Sequence, residues 1–199
     1  MKKLIMATNN ANKLREAREI VAPLGIEVLS LSDMEIECDP DENGATFADN
    51  AAIKAKAVRA AVIEKTGESP AVFADDSGLC VDALGGRPGV HSARYAPKGE
   101  ECAKLLGEMQ DVPDDKRTAR FVCSIAFLDT DGQLFTVSGK CEGNIGYEQR
   151  GTNGFGYDPV FMVGNRTMAE MSADEKNEIS HRGAAMRELY RLLKERYGE

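Results

Sequence analysis

AVFADDSGLCVDALGG, residues 71–86, runs an apolar segment straight into two adjacent carboxylates, Asp75 and Asp76, followed by Ser77 and Gly78. PAVFA (70–74) reads as a strand, which puts the acidic pair where that strand leaves the core. Like charges side by side repel, so a sequence under no other demand has little reason to place them there. Side chains alternate across a strand, so Asp75 and Asp76 point to different sides and only one need face a given cleft. Ligands of open α/β sheets bind at the carboxyl ends of strands. A Mg2+ ion at that position relieves the repulsion and bridges to phosphate oxygens. The residues alone also fit a turn in which one carboxylate caps the next element.

Working outward, KKLIMA (2–7) reads as a buried strand and NKLREAREIVAPL (12–24) as an amphipathic helix with Leu14, Ala17, Ile20 and Val21 on one face. IEVLSL (26–31) is a second strand. An acidic loop, 32–47, precedes an alanine-rich helix over 47–64, where Thr46 and Asp49 have the spacing of a capping box. GEECAKLLGEM (99–109) is a helix. TARFVCSIAFLD (118–129) and QLFTVSGKCEG (133–143) form a hairpin across Thr130, Asp131 and Gly132. PVFMV (159–163) is a further strand. A last helix buries Met186, Leu189, Leu193 and Tyr197, with Ile179 just ahead of it and Ser180 as N-cap. The order of elements is α/β, without repeats or a dividing linker, and the whole chain, 1–199, reads as one domain.

Composition bounds the function. The 199 residues are 42% hydrophobic and 29% charged with a net charge of -8, which suits a soluble globular protein and argues against a broad basic face for nucleic acid polymers. No apolar run reaches the roughly 18 residues of a membrane span, and no secretory leader is recognisable, so the expected location is cytoplasmic and no membrane partner is expected. The five cysteines are scattered, with no C-x-x-C pair, which fits reduced thiols better than disulfides or a zinc site.

Three further segments carry chemistry. ATNNANK (7–13) lies at a strand-to-helix junction, where Thr8, Asn9, Asn10, Ala11, Asn12 and Lys13 add donors to the open N–H groups of a helix start, a natural phosphate seat. Asn10 capping the helix with Lys13 in solvent fits the same residues. GNIGYEQRGTNGFGYDP (143–159) is a glycine-rich loop holding Phe155, Gly156, Tyr157 and Asp158. Its aromatics either stack a planar base or plug the core. EKNEISHRG (175–183) sets Lys176, His181 and Arg182 at a helix start, against the dipole preference, which suggests a contact with a ligand; surface charge facing solvent is the other reading.

TNNANK, ENGATFADNAAIKAKA, ADDSGLCVDALGGRPGVHSARY, GFGYDP and EKNEISHRG, in this order, resemble the inosine triphosphate pyrophosphatases, also called XTP/dITP diphosphatases, over about residues 3–195. The resemblance implies an elongated two-lobed α/β fold with a long central mixed sheet flanked by helices and an active-site cleft between lobes. It implies a Mg2+-dependent, usually homodimeric hydrolase that converts ITP, dITP and XTP to monophosphate and pyrophosphate and so keeps deaminated purines out of nucleic acids. Carried over by motif, Asp76 is the general base and a metal ligand, Glu42 a second metal ligand, and Asp75 and Ser77 flank the base. Thr8 to Lys13 and Lys54 hold phosphate, while Phe155 to Asp158, Lys176, His181 and Arg182 bind the base. Asn153 and His91 depart from the family pattern, at positions where glycine and tyrosine are frequent. A nucleotide-binding regulator and a related hydrolase releasing orthophosphate are the rival expectations.

Overall fold

The computed structural model describes residues 2–198, the side chains of Lys2 and Asn12 excepted. In chain order the elements are β1 (Lys2–Met6), α1 (Ala11–Val21), β2 (Ile26–Leu29), α2 (Phe47–Thr66), β3 (Ala71–Val81), α3 (Glu101–Glu108), β4 (Thr118–Leu128), β5 (Leu134–Ile145), β6 (Phe161–Val163), β7 (Arg166–Thr167), α4 (Ala173–Ile179) and α5 (His181–Tyr197). Among the described residues the strands form one seven-stranded sheet in the order β2-β1-β3-β4-β5-β6-β7. β1 pairs in parallel with β2 and β3, whereas β6 pairs antiparallel with β5 and β7, so the sheet is mixed. The expected α/β class with a mixed central sheet is what the chain adopts.

Contacts group the chain into two compact units, one of 1–76, 124–138 and 185–199, the other of 77–123 and 139–184. The first has a core of Ile5, Val72, Ala74, Ala126 and Leu128 from strands packed on Ala51, Ala55, Val58 and Val62 of α2. The alanines bring the α2 backbone close to the sheet, and every fourth or third position repeats the helical period. Thr46 and Asp49 form the reciprocal capping box expected of them. The second unit packs Leu79, Val81, Phe121, Ile145, Tyr157, Phe161 and Met168 around Leu105 and Met109.

The strand that decides the fold is longer than the sequence suggests. β3 continues through the acidic pair to Val81, and Leu79 and Val81 are fully buried. Asp75 and Asp76 therefore sit in mid-strand, at 3% and 8% exposure. Two carboxylates followed by Ser-Gly have the local composition of a turn, but lysine partners neutralise them and apolar residues resume at Leu79, three positions after Asp76, so tertiary pairing overrides local preference. The pair does lie past the end of β1, whose ladder with β3 finishes at Met6 opposite Phe73.

Four other expectations need correction. PVFMV supplies only Phe161–Val163 to the sheet. EKNEISHRG is divided between two helices, since α4 ends at Ile179 and Ser180 is extended. Lys176 consequently lies in the last turn of α4, where the helix dipole favours a cation, and not at the start of α5. Ile179, placed just ahead of the buried face of the last helix, ends α4 instead and is exposed. The α5 cap is as expected, Ser180 Oγ accepting the Gly183 N–H at 3.0 Å.

Candidate active site

In the first unit the adjacent carboxylates are divided between two lysines. Lys13 Nζ, from α1, donates to Asp75 Oδ1 and Oδ2 at 3.0 and 2.8 Å. Lys54 Nζ, from α2, donates to Asp76 Oδ1 at 2.9 Å and reaches Glu42 Oε1 at 3.0 Å and the Asp75 carbonyl at 3.4 Å. Alternation along β3 thus gives each aspartate its own lysine. Burial pulls the Lys54 ammonium down, but the charges of Asp76 and Glu42 outweigh it and hold the group above its ordinary range.

Asn50, one turn before Lys54, completes the cluster. Its Nδ2 donates to Asp76 Oδ2 at 3.2 Å and its Oδ1 accepts the Gly44 N–H at 2.8 Å. The side chain is fully buried. Sequence reading passed over Asn50, although an amide on the stripe otherwise made of Phe47, Ala51, Ala55, Val58 and Val62 was a usable signal.

At the start of α1, Thr8 Oγ1 accepts the Asn10 N–H at 3.1 Å and Asn10 Oδ1 accepts the Lys13 N–H at 3.2 Å. Asn10 therefore caps the helix while Lys13 turns to Asp75. The Asn12 side chain lies outside the described residues. Asn9 borders an open cavity of about 680 Å3 lined also by Ser32, Glu35, Ile36, Glu37, Cys38 and Asp39. Its carboxylates make it a poor seat for a triphosphate.

The fit of a divalent cation follows from the donor set. Asp75, Asp76 and Glu42 outnumber Lys13 and Lys54 by one charge, and Asp76 and Glu42 converge on a single ammonium. Among the described residues no three His, Cys, Asp or Glu side chains form a metal cage. One or two carboxylates without a full cage is the pattern that suits Mg2+, which keeps waters and takes substrate phosphate oxygens.

In the second unit the glycine-rich loop splits its aromatics between the two readings. Phe155 is 65% exposed, whereas Tyr157 is buried and its hydroxyl donates to the Ser92 carbonyl at 2.9 Å. Burial pushes the Tyr157 phenol well up. Asp158, 3% exposed, accepts the Phe155 N–H at 2.8 Å and the Lys176 ammonium at 2.5 Å. Lys176 Nζ stands 5.0 Å from the Phe155 ring centre. The Cys102 thiol donates to the Gly156 carbonyl at 3.2 Å, and burial raises it to about 11. His181 is buried with its ring stacked on Phe121 at 4.8 Å. Arg182 Nη2 lies 3.4 Å from Ser77 Oγ, so the residue following Asp76 meets the start of α5. Asn153 anchors the same loop, donating to the Met171 carbonyl at 3.0 Å, and His91 is exposed.

Among the described residues none of the five cysteines is joined in a disulfide. No helix among the described residues is long and apolar enough to cross a membrane.

A carboxylate-lysine cluster stands in one unit of this mixed α/β fold, and an exposed aromatic beside a Lys-Asp pair stands in the other. The Ham1 family model matches residues 4–192, and the chain belongs to that family. It is 45% identical to the dITP/XTP pyrophosphatase of Bacillus subtilis, over 97% of this chain and 98% of that one. It is 48% identical to the dITP/XTP pyrophosphatase of Geobacillus kaustophilus, over 95% and 93%. Its fold is similar to that of the Staphylococcus aureus Ham1 protein, with a TM-score of 0.86 at 35% identity, covering 98% of this chain and all of the other. A nucleoside-triphosphatase, or dITP/XTP pyrophosphatase, from Mycobacterium abscessus gives 0.76 at 41% identity, over 96% and 98%.

Proposed function

We infer that this protein hydrolyses the deaminated purine nucleoside triphosphates ITP, dITP and XTP to the nucleoside monophosphate and pyrophosphate, clearing them from the nucleotide pool. Membership of the Ham1 family and near full-length similarity to dITP/XTP pyrophosphatases support the reaction class. The observation that carries the chemistry is the pair of adjacent strand carboxylates, each held by its own lysine, with Glu42 on the lysine of Asp76. The whole chain acts as one catalytic domain, in the cytoplasm and as a homodimer.

Asp76 and Glu42 would hold a Mg2+ ion, which when bound would neutralise triphosphate charge and polarise the phosphoryl oxygens. Lys13 and Lys54 then turn from carboxylate to phosphate and support the charge that develops on the departing pyrophosphate. Thr8 to Lys13 add hydroxyl and backbone donors at the α1 start. Asp76 orients a water for in-line attack on the α-phosphorus and takes its proton as the bond to the bridging oxygen breaks. Ser77 flanks this residue.

The base falls to the second unit. Phe155 offers an exposed face for stacking, and Gly156, Tyr157, Asp158 and Lys176 fix the loop that presents it. Hypoxanthine and xanthine carry an acceptor oxygen at C6 where adenine carries a donor amine. Donors from His181 and Arg182 therefore disfavour ATP by leaving polar groups unpaired.

Phosphorus NMR of the products from dITP, ITP, ATP and GTP with Mg2+ tests the reading. Pyrophosphate and monophosphate from dITP and ITP, with little turnover of the other two, is the expected result. Orthophosphate with a diphosphate product would overturn the site of attack. Absence of turnover with retained nucleotide binding would leave a regulator.

A further inference from the structure

We propose that Asn50 is a positioning residue for the reaction, fixing the Asp76 carboxylate and tying it to the loop that carries Glu42. The proposal rests on the reading that Asp76 carries hydrolysis. The orientation of the amide follows from its neighbours. The Gly44 N–H can only donate, so it must face Oδ1, which leaves Nδ2 to donate to Asp76 Oδ2 at 3.2 Å. Lys54 holds the other oxygen, Asp76 Oδ1, at 2.9 Å. The two bonds together fix the plane of the carboxylate, one oxygen by a cation and one by a neutral donor.

Asn50 is 0% exposed, although it lies on the helix stripe that packs Ala51, Ala55, Val58 and Val62 into the core. An apolar side chain would serve packing there; a buried amide is retained where both its ends are satisfied. The loop closes tightly on it. A Cβ on Gly44 would stand 2.7 Å from Asn50 Oδ1 and 2.6 Å from Asp49 Cβ, so only glycine lets that backbone N–H reach the amide. Glu42 is two residues away on this loop and meets Lys54 at 3.0 Å. One side chain thus sets the separation of the two carboxylates proposed to share a metal, while touching neither substrate nor metal itself.

Two substitutions separate positioning from structural support. Asn50→Ala removes both bonds. Asn50→Asp keeps the acceptor for Gly44, hence the loop anchor, but replaces the donor to Asp76 with a second carboxylate. If Asn50 only anchors the loop, Asn50→Asp hydrolyses dITP at the wild-type rate. If it positions Asp76, both variants lose on the order of 10- to 100-fold in kcat with KM changed by less than about threefold, since displacements near 1 Å cost rates of this size. The decisive measurement is the cycle with Asp76→Asn, read under single-turnover conditions with enzyme in excess. With Asp76 removed only the Glu42 loop is left for Asn50 to hold, so adding Asn50→Ala to Asp76→Asn should cost well under the factor that Asn50→Ala costs wild type. A double variant slower by the full Asn50→Ala factor, or a wild-type kcat for Asn50→Asp, overturns the proposal. A wild-type rate for Asp76→Asn removes the role of Asp76 itself, and is read with Asn50 intact, so the two failures are distinct. Should Asn50→Ala not fold, Asn50→Ser, too short to reach Asp76, carries the same cycle.

Discussion

Replacing Gly154 by alanine should damage the second unit by a route that can be dissected. Gly154 has φ +78°, and a Cβ there would meet Asp158 Oδ2 at 2.1 Å, with Lys176 Nζ at 3.1 Å. The backbone conformation alone costs a side-chain-bearing residue about 1 kcal/mol or somewhat more. The collision adds a second loss, because Asp158 Oδ2 is the oxygen that accepts both the Phe155 N–H and the Lys176 ammonium. A hydrogen bond to a charged group is worth roughly 1.5 to 3 kcal/mol, and displacing the carboxylate weakens two of them in a buried setting. A total near 3 kcal/mol follows, which for a chain of this size lowers Tm by roughly 6 to 12 °C. Gly156→Ala is the control. That residue has φ +59° but nothing within 4 Å of an added Cβ, so only the conformational cost applies, or roughly 2 to 4 °C. Calorimetry of both variants gives the difference, which isolates the Asp158 collision. Kinetics supply the functional half, since freeing Phe155 from its anchor should raise KM for dITP more than it lowers kcat. Equal Tm shifts for the two glycines, or an unchanged KM for Gly154→Ala, would refute the reasoning.

Arg182→Ala should likewise raise KM for ITP more than it lowers kcat, and steady-state kinetics showing an unchanged KM would move base recognition elsewhere. Arg117 is 2% exposed and its guanidinium donates to the carbonyls of Met109, Val112, Ile145 and Gly146 at 2.7 to 3.1 Å. Arg117→Lys cannot reproduce that planar fork, so it should cost about 3 kcal/mol, nearly as much as Arg117→Met, by denaturant unfolding; full rescue by lysine would contradict this. Glu175 is held down to about 2, from an ordinary 4.5, first by the Ser172 N–H and then by Arg166 and the Ser172 hydroxyl. A lowered folded-state value stabilises the protein above pH 4.5 and loses that contribution as pH falls toward 2. The stability advantage of wild type over Glu175→Gln, followed by unfolding at stepped pH, should shrink across that window and stay flat above it.

The helices and most strands were legible because their signals are local. Thr46 with Asp49 announced α2, Ser180 announced α5, and the apolar periods of both held. What escaped was set by distant partners. β3 passes through Asp75 and Asp76 because Lys13, 62 positions earlier, and Lys54, 22 positions before Asp76, neutralise them. No window along β3 contains either lysine, so a local reading ends the strand at the charges. α4 escaped for the opposite reason. Its seven residues bury no side chain, so it has no apolar stripe, and its one local sign is the Ser172–Glu175 capping box.

The candidate site was legible in its residue types and less so in its division of labour. Motif order named Lys54, Glu42 and Asp76, and geometry brings them together; nothing in the order says that one ammonium would serve both carboxylates. Tyr157 and Phe155, two positions apart on one loop, look alike in sequence, yet one is sealed against Ser92 and the other is exposed. The sharper lesson is Asn50. Hydropathy reading records which positions of a helix are apolar and treats a polar exception as noise. On a stripe whose other members are buried, the exception is the informative position, because an amide survives there only if both its donor and its acceptor are satisfied. The glycine six residues earlier supplies one partner and the first carboxylate-rich strand downstream supplies the other. A polar residue on a helix's apolar stripe, preceded by a glycine and followed by an adjacent acidic pair, is therefore a pattern that sequence displays, and the burial of amide and acids in the structure makes it point to the residue that aims the acid.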